Sequence, residues 1–434
     1  MLGGIPLPHM IMIYTPMQKR DAAQHRVTAN KLMKNLLIFA VLLTSLQTGF
    51  SQQNIQKKIQ TQLIMVENGS TVELEEGTFT FTNSISMEDK KNVIIRGKGM
   101  DKTILSFKGQ TEGAEGLRVS NGENITIENM TLQDSKGDLI KTMNVKGITF
   151  RNVKVEWTGT PSDKNGGYGL YPVQCQEVMI DNCVAIGASD AGIYVGQSKN
   201  IEVKNSKAYH NVAGIEIENS LYASVHDCEA YENTGGVLVF DLPDLVQKKG
   251  GFCKVFNNYI HDNNYLNFAP KGNIVASVSD GTGILLLATN NVEIFQNRII
   301  NNKTIGTGII SYFMTERPVT DKEYYPYPTA ISIHDNEYQR EHIRPTSKGR
   351  MGLMFRLKLR FGKDVPHIFY DGIIDPQTLD AQGNTLSDKK ICIKNNKNQT
   401  FVNLDAEHGF KGLSKDASKY DCTLETIKLV RNEK

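Results

Sequence analysis

The sequence repeats itself with a period of 22 residues, and this repeat limits the fold more than any other feature. A-G-I-Y-V at Ala191–Val195 returns as A-G-I-E-I at Ala213–Ile217, and N-I-E-V-K-N at Asn200–Asn205 returns as Y-A-S-V-H-D at Tyr222–Asp227. Each segment alternates apolar and polar residues, which is typical of a strand with one buried face. Gly, Asn or Asp follows each segment, and these residues accept left-handed turns. A short self-similar period of this kind predicts stacked coils.

Two coiled architectures have such a period, the leucine-rich horseshoe and the parallel β-helix. The sequence has no L-x-x-L-x-L frame and no helical segment within the period, so it favours the β-helix. The second strand of each coil has its first apolar residue at Val93, Ile125, Ile148, Val178, Ile201, Ala223, Cys253, Val292, Ile331 and Ile391. A first strand lies eight positions earlier, at Leu117, Ile140, Leu170, Ile193, Ile215 and Ile284. We therefore predict an all-β, single-stranded parallel β-helix.

The chain divides into four predicted parts. These are a leader and signal peptide (1–52), an N-terminal cap with the first strands (53–87), the β-helix coils (88–339), and a C-terminal coil with an irregular cap (340–434). Ile55–Val66 has the spacing of a short amphipathic helix, which we expect to cover the open end of the solenoid. Insertions lengthen the later coils at Leu242–Gly251, Asn263–Gly281 and Thr315–Thr329. The insertion Asn263–Gly281 is expected to form a wall or lid, since long loops often carry function.

Residues 31–52 read as a secretory signal, with the signal peptide itself at about residues 33–51. Lys31 and Lys34 form its positive region, Leu36–Leu46 its apolar run, and small residues follow near Gly49 and Ser51. The apolar run is too short to span a bilayer. We expect export to the periplasm or the medium, with no membrane span in the mature chain.

Charge and cysteine content exclude several partners and sites. The net charge is +2, from 49 basic and 47 acidic residues, which argues against a nucleic-acid partner. Cys183 and Cys228 occupy equivalent positions two coils apart, about 9.5 Å at the usual strand spacing, which is too far for a disulfide. Buried free thiols are expected, with the pairing of Cys392 and Cys422 left open. No Cys/His metal frame is present, so we predict no metal site, and the sequence identifies no cofactor.

The residue between the two apolar positions of a first strand should face solvent, and stacking should place these residues in one column. The column is Arg118, Lys141, Tyr171, Tyr194, Glu216, Leu238 and Leu285. Arginine binds carboxylates in a bidentate manner, and aromatic rings pack on the apolar faces of sugars. We predict Arg118, Lys141, Tyr171 and Glu216 as substrate-binding residues on an extended sugar chain. The alternative is an ordinary polar solenoid face.

Two further columns are interpreted as structural. Glu128, Arg151, Asp181, Lys204 and His226 alternate in charge, which is typical of pairing between neighbouring strands. Asn129, Asn152, Asn182, Asn205, Asp227 and Asn257 fall in the turns, where Asn accepts the bend and stacked amides bond along the axis.

Candidate catalytic residues lie near the first column. Tyr194 belongs to it, and His210 lies in a turn after a third strand, near Asp190. A histidine beside a carboxylate is able to act as a general base. Lys271 in the Asn263–Gly281 insertion flanks the column. The catalytic prediction is thus Tyr194, His210, Asp190 and Lys271, against the alternative that polar turns simply contain polar residues.

The repeat A-G-I-Y-V-G-Q-S-K-N-I-E-V-K-N-S resembles the right-handed parallel β-helix repeat of the pectate-lyase-like superfamily. G-T-G-I-L-L-L-A-T-N-N-V-E-I-F-Q-N, with Y-D-G-I-I-D-P at Tyr370–Pro376, is similar to a family of exported bacterial β-helix repeat proteins of unknown function. The resemblance implies a right-handed β-helix. The superfamily includes polyuronate lyases, polygalacturonases and C5-epimerases, but the epimerase D-P-H-D motif and the polygalacturonase G-H-G motif are absent.

Two functions remain as hypotheses. One is an enzyme that acts on an acidic polysaccharide by abstracting the C5 proton, followed by β-elimination or epimerisation. The other is a non-catalytic scaffold that binds acidic or neutral glycan or assists another exported protein. In both cases we expect a monomer.

Overall fold

The computed structural model describes residues 33–35, 55–345 and 350–429. The chain divides into two compact units, residues 1–55 and 56–434. In the first unit residues 33–35 are helical, and the rest of the predicted export signal lies outside the described residues. The second unit contains the coils. Within the described residues, no helix is long and apolar enough to cross a membrane.

Two sheets built from parallel strand pairs run along the second unit, with eleven and nineteen strands among its described residues. The eleven-stranded sheet, called the front sheet, holds the first strand of each coil: Asn83–Glu88, Glu112–Ser120, Ile140–Met143, Tyr168–Val173, Ala191–Gly196, Ala213–Glu218, Gly235–Phe240, Thr282–Leu287, Ile305–Ile310, Ile368–Tyr370 and Phe401–Asn403. Its strands pair in chain order, so each coil rests on the one before.

The nineteen-stranded sheet, called the back sheet, holds the second and third strands. They are Thr71–Glu73, Gly77–Thr80, Ile94–Arg96, Thr103–Ser106, Glu123–Gln133, Lys146–Glu156, Gln176–Asp181, Val184–Ile186, Lys199–Lys204, Lys207–Tyr209, Leu221–His226, Glu229–Tyr231, Gly251–Phe256, Tyr259–His261, Asn290–Phe295, Arg298–Ile300, Thr329–His334, Glu337–Gln339 and Ile391–Lys394. The core lies between the two sheets, where the alternating apolar residues of both are buried.

The predicted register is confirmed. Ala191 pairs with Ala213 in the front sheet, and Ile201 pairs with Ala223 in the back sheet, 22 residues apart in each case. The nine predicted second-strand residues from Ile125 to Ile391 form one column of paired positions. The predicted first-strand residues form another. The sequence therefore predicts an all-β parallel β-helix correctly.

The N-terminal end is covered by a helix, as predicted. It spans residues 55–65 and buries Leu63. The side-chain amide of Gln60 makes two hydrogen bonds with the backbone of Ser86 on the edge strand. Its Nε2 donates to Ser86 O (2.9 Å), and its Oε1 accepts from Ser86 N (2.9 Å). Gln56 Oε1 accepts from Thr82 N at 2.8 Å. These amides take the place of a preceding strand and satisfy backbone groups that would otherwise be a template for aggregation.

The outer corner column of asparagines is confirmed. Asn152 Nδ2 donates to Asn129 Oδ1 (2.9 Å), and Asn182 Nδ2 donates to Asn152 Oδ1 (2.7 Å). These residues have φ between 52° and 59°, the left-handed region that Asn tolerates well. The expected charge pairing in the neighbouring column also occurs, between Arg151 Nη1 and Glu128 Oε2 at 3.3 Å.

Two inner columns of asparagine were not predicted. One consists of Asn211, Asn233, Asn263 and Asn302, and the other of Asn258, Asn297, Asn336 and Asn396. Each side chain bonds to the next amide in its column and to a backbone carbonyl inside the core. In earlier coils the position of the second column holds Cys183, Ser206 and Cys228, and the two cysteines are buried free thiols as expected.

The C-terminal region contains the predicted coil strand Ile391–Lys394, and the front-sheet strand Phe401–Asn403 follows it. Residues 351–361 alternate weakly in sequence, yet Arg350–Leu353 is α-helical and Met354–Lys358 is a π-helix. Phe355 is buried there against the front sheet. Cys392 and Cys422 form a disulfide, so the pairing left open by the sequence does occur. The shorter helical turns are Val275–Ser277, Tyr312–Thr315, Pro376–Thr378, Ser387–Lys389, Ala406–His408 and Ser418–Tyr420.

We expect Asn233→Ala to destabilise the fold by about 3 kcal/mol or more, because it leaves several buried polar groups unpaired. Asn233 Nδ2 donates to Ala208 O and to Asn263 Oδ1, both at 2.9 Å. Its Oδ1 accepts from Asn211 N and Nδ2, both at 3.0 Å. Urea unfolding of the purified protein measures the loss.

The matched control is Asn182→Ala in the outer column. Asn182 is exposed and has φ 53°, so its replacement should cost about 1–2 kcal/mol, mainly through the left-handed backbone, since the hydrogen bond to Asn152 that is lost lies at the surface. Equal losses at the two positions would contradict a stabilising role for the inner column.

Candidate functional site

The outer surface of the front sheet is partly open and partly covered by insertions. The residues of the predicted column lie on top of one another on successive strands, since Tyr171 pairs with Lys141 and Tyr194 pairs with Glu216 in the parallel register. Exposure changes along it: Arg118 is exposed, and Lys141 and Tyr171 are half-buried. Tyr194 and Glu216 are only 3% and 1% exposed. The prediction that these two residues face solvent is therefore wrong, because later insertions pack on top of them.

The insertion Asn263–Gly281 provides most of this cover. Its Val275 and Val278 are buried in an apolar cluster that includes Tyr194 and Leu238. Asn273 Nδ2 donates to Asp190 Oδ2 at 2.9 Å. Arg317, from the next large insertion, donates through Nη2 to the carbonyls of Gly272 (2.9 Å) and Asn273 (3.1 Å). The expected lid is thus present, and hydrogen bonds hold it to Asp190 of the coil beneath it and to Arg317 of the next insertion.

Three tyrosine rings meet at the border between the open and covered parts. The ring centroids of Tyr168 and Tyr171 are 4.5 Å apart, those of Tyr168 and Tyr194 4.4 Å, and those of Tyr171 and Tyr194 5.0 Å. Tyr168 lies beside the column because its strand position pairs with Ala191. Tilted and edge-on contacts of this kind hold aromatic rings in a fixed arrangement. The rings form one wall of the site.

Three carboxyl groups lie beneath the tyrosines. Asp190, Glu216 and Glu218 are 6%, 1% and 7% exposed. Tyr194 Oη donates to Glu218 Oε1 at 2.5 Å, and Asp190 Oδ2 accepts from Asn273 Nδ2 at 2.9 Å. Glu216 Oε2 is buried and has no hydrogen-bond partner. We call Asp190, Glu216 and Glu218 the acidic cluster.

Burial raises the pKa of every member of the acidic cluster. It raises the pKa of Asp190 to about 7, with the Glu218 charge adding to the effect. It raises the pKa of Glu218 to about 7 and that of Glu216 well above its usual range. No cation contributes to the shift of any of the three. Mutual repulsion and desolvation therefore keep protons on these groups near neutral pH.

The open end of the site carries the positive charge. Lys141 Nζ lies 4.9 Å from the centroid of the Tyr171 ring and 3.8 Å from Glu115 Oε1. Arg118 stands next to Lys141 in the paired register. Asp138 lies on the same side, and burial raises its pKa to about 6 against the opposing effect of Lys141. The result is a surface that has two cations, an aromatic wall and recessed carboxyl groups that carry protons.

The structure brings some of the predicted catalytic residues together and separates others. Asp190 and Tyr194 lie in the same cluster, as described above. His210 pairs instead with Glu232, at 2.9 Å between Nε2 and Oε2, and its ring packs on Tyr209 and Tyr265. Lys271 is exposed on the insertion, two residues before Asn273.

Four residues of the site were missed in the sequence: Asp138, Tyr168, Glu218 and Asn273. Glu218 was accessible to reasoning, because I-E-I-E at Ile215–Glu218 places Glu216 and Glu218 on the same face of one strand. Asn273 carries no such signal, since its contact with Asp190 depends on how the insertion folds back.

Among the described residues, no group of three or more His, Cys, Asp or Glu side chains is arranged to hold a metal ion. The chemistry available to the acidic cluster itself is proton transfer. A carboxyl with a pKa near 7 exchanges protons efficiently at neutral pH, and the hydroxyl of Tyr194 links the Glu218 carboxyl to the tyrosine rings.

We expect the stability of the protein to depend on pH through Glu218. Its folded pKa, about 7, lies above the usual 4.5, so its contribution is complete below about pH 4.5 and is lost as the pH rises through about 7. Glu218→Gln does not titrate and should gain stability relative to the natural protein over this window, by on the order of 1 kcal/mol per pKa unit. Denaturant unfolding between pH 4.5 and 8 measures this, with Glu75→Gln at an exposed position as control. A difference that stays constant with pH would contradict the raised pKa.

Comparison with known proteins agrees with this architecture. Residues 147–316 match the family model of the right handed beta helix region. A comparison of the sequence with curated proteins finds no match. Among solved structures, the A-module of a mannuronan C-5 epimerase from Azotobacter vinelandii is 14% identical, with a TM-score of 0.47 over 75% of this chain and 86% of that chain. An exopolygalacturonase from Thermotoga maritima is 13% identical, with a TM-score of 0.41 over 67% of this chain and 83% of that chain.

These structural similarities concern the fold alone. The family match indicates right-handed coils for residues 147–316. The parallel register of the two sheets extends on either side of these residues. The chain folds as a parallel β-helix, and its residues 147–316 match the family model of the right handed beta helix region.

Proposed function

We propose that the protein is an exported enzyme that acts on an acidic polysaccharide bound across the front sheet, at the tyrosine wall above the acidic cluster. The observation that carries this proposal is the acidic cluster itself. Three buried carboxyls without a cation cost folding free energy, since desolvation of a charged group is unfavourable. A site that keeps them beside an accessible aromatic and basic surface is typical of acid–base chemistry.

The open end supports an anionic sugar as substrate. Arg118 and Lys141 would bind the carboxylate of a uronate, and the Tyr171 ring, beside Lys141, would pack against a sugar ring. Neutralising that carboxylate makes the proton at the neighbouring C5 easier to remove, because negative charge develops on the carboxylate as the proton leaves.

Asp190 is the proposed base. At neutral pH about half of this group is ionised, given its pKa near 7. In β-elimination the C5 proton passes to the carboxylate, a C4=C5 double bond forms, and the C4–O bond breaks with a proton supplied to the leaving oxygen. In epimerisation a proton returns to C5 from the opposite side. Tyr194, which donates to Glu218, and Tyr168 carry the hydroxyls that would act as acid.

Export is part of this proposal. Disulfides persist in oxidising compartments, and the Cys392–Cys422 bridge supports such a location. The sequence pattern at residues 33–51 points the same way.

A second candidate function is a non-catalytic glycan-binding scaffold. The observation that favours it is the burial of Tyr194 and Glu216 under the insertion Asn263–Gly281, which leaves a smaller open surface than an extended groove would have. In that case the acidic cluster has a structural role, because Asp190 holds the insertion through Asn273. The surface at Arg118, Lys141 and Tyr171 then binds sugar without any reaction.

Incubation with a panel of polyuronates distinguishes the two. An enzyme should give ultraviolet absorbance from an unsaturated uronate or a changed uronate composition. Asp190→Asn should lower the rate about 100-fold or more, and the rate of the natural protein should rise with pH through about 7, because the base must be ionised. Asp101→Asn, at an exposed position, is the matched control. Retention of glycan on a column with no product would contradict catalysis and favour the scaffold.

A further inference from the structure

A second pocket lies far from the acidic cluster, at a corner of the last coils. It opens between the strand Glu337–Gln339 of the back sheet and the strand Ile368–Tyr370 of the front sheet. Its cavity volume is about 490 Å³. The charged and polar side chains that the argument uses are Arg340, Lys363, His367, Thr400 and Lys415. We call it the corner pocket.

Among the residues that the structure describes, no carboxylate acts as a counterion of Arg340 in the corner pocket. Its Nη1 atom is buried and has no hydrogen-bond partner. Burial lowers the pKa of Arg340 to about 10, with no opposing effect from a neighbouring carboxylate. A guanidinium carries five donors in a rigid fork, and proteins normally pair such a group when they bury it. Arg340 is therefore a half-buried guanidinium with one buried donor that the protein itself leaves unsatisfied.

The surroundings of Arg340 add positive charge. Lys363 and Lys415 line the same pocket and are exposed. His367 Nδ1 lies 3.0 Å from Thr400 Oγ1, and burial together with the Arg340 charge lowers the pKa of His367 to about 4. The pocket also contains Glu341 and Asp364, but Asp364 faces His342, at 3.3 Å between Oδ1 and Nδ1.

The size of the cavity indicates how large a ligand the corner pocket is able to hold. A single water occupies about 30 Å³ of liquid volume, so the corner pocket is much larger than a bare ion requires. Its volume falls in the range of small-molecule sites, about 300–1,000 Å³. Oxyanions match the geometry of a guanidinium fork and form charge-assisted hydrogen bonds with it.

We propose that the corner pocket binds a small organic oxyanion, a carboxylate, sulfate or phosphate group carried on a sugar-sized molecule, with Arg340 as its anchor. Lys363 and Lys415 attract the anion at the rim, and Thr400 and His367 offer neutral hydrogen-bonding groups beside it. This proposal does not rest on the function proposed for the front sheet, since the two sites share no residue.

The test measures binding of glucuronate, glucose 6-sulfate and glucose 6-phosphate to the full chain at constant ionic strength, by calorimetry, with glucose as the uncharged control. We expect saturable binding of at least one anion and none of glucose. The three anions distinguish which oxyanion the site prefers. Arg340→Leu should weaken binding about tenfold or more, because charge-assisted hydrogen bonds are lost. Arg298→Leu replaces an exposed arginine on the neighbouring coil and should leave binding unchanged.

Thermal unfolding separates this role from a purely structural one. Without anion, Arg340→Leu should unfold at the same temperature as the natural protein or higher, because an unpaired buried charge is removed. With the binding anion, only proteins that retain Arg340 should gain stability. The proposal is overturned if no anion binds the natural protein, if Arg340→Leu binds as well as the natural protein, or if Arg340→Leu lowers the unfolding temperature without anion while anions stabilise neither protein.

Discussion

The structure depends on one constraint, the parallel hydrogen bonding of each coil to the coil before it. Adjacent strands in such a sheet lie about 4.8 Å apart, so residues at equivalent positions become direct neighbours although 22 or more residues separate them in the chain. Ala191 over Ala213 and Ile201 over Ala223 show this register in both sheets. Every column of the molecule, apolar, charged or amide, follows from it.

Stacking also decides where polar groups are tolerated inside the core. The Asn211–Asn233–Asn263–Asn302 column satisfies its own amides and the free carbonyls of the corners, each residue serving the coil on either side. Such a column works only as a complete series, because a buried amide without its neighbour would be unsatisfied. The same geometry permits insertions at the corners, since a loop that leaves the coil after one strand returns at the next without disturbing the pairing. The Asn263–Gly281 insertion begins in this column and ends at the following front-sheet strand.

The two candidate sites share one physical property, buried ionisable groups that face no opposite charge among the described residues. On the front sheet these groups are the carboxyls of the acidic cluster, where protons reduce the repulsion. In the corner pocket the group is the guanidinium of Arg340. Both lie where insertions meet the regular coils. A regular coil presents only its outward positions, whereas an insertion encloses such positions and changes the pKa of the groups beneath it.

Much of the fold was predictable from the sequence. The repeat determined the register, the outer asparagine column, the free corner cysteines and the N-terminal cap, because these depend on local alternation and on stacking alone. The sequence also placed Tyr171, Tyr194 and Glu216 in one file and selected Asp190. Only the tertiary structure decided that Tyr194 and Glu216 are buried and that Glu218 and Tyr168 lie beside them. It also decided that His210 pairs with Glu232, and that the buried Nη1 atom of Arg340 has no hydrogen-bond partner. The physical reason is that periodicity fixes which residues stack on one another, whereas the path of an irregular insertion, and thus the solvent and charge that each residue meets, depends on contacts between distant parts of the chain.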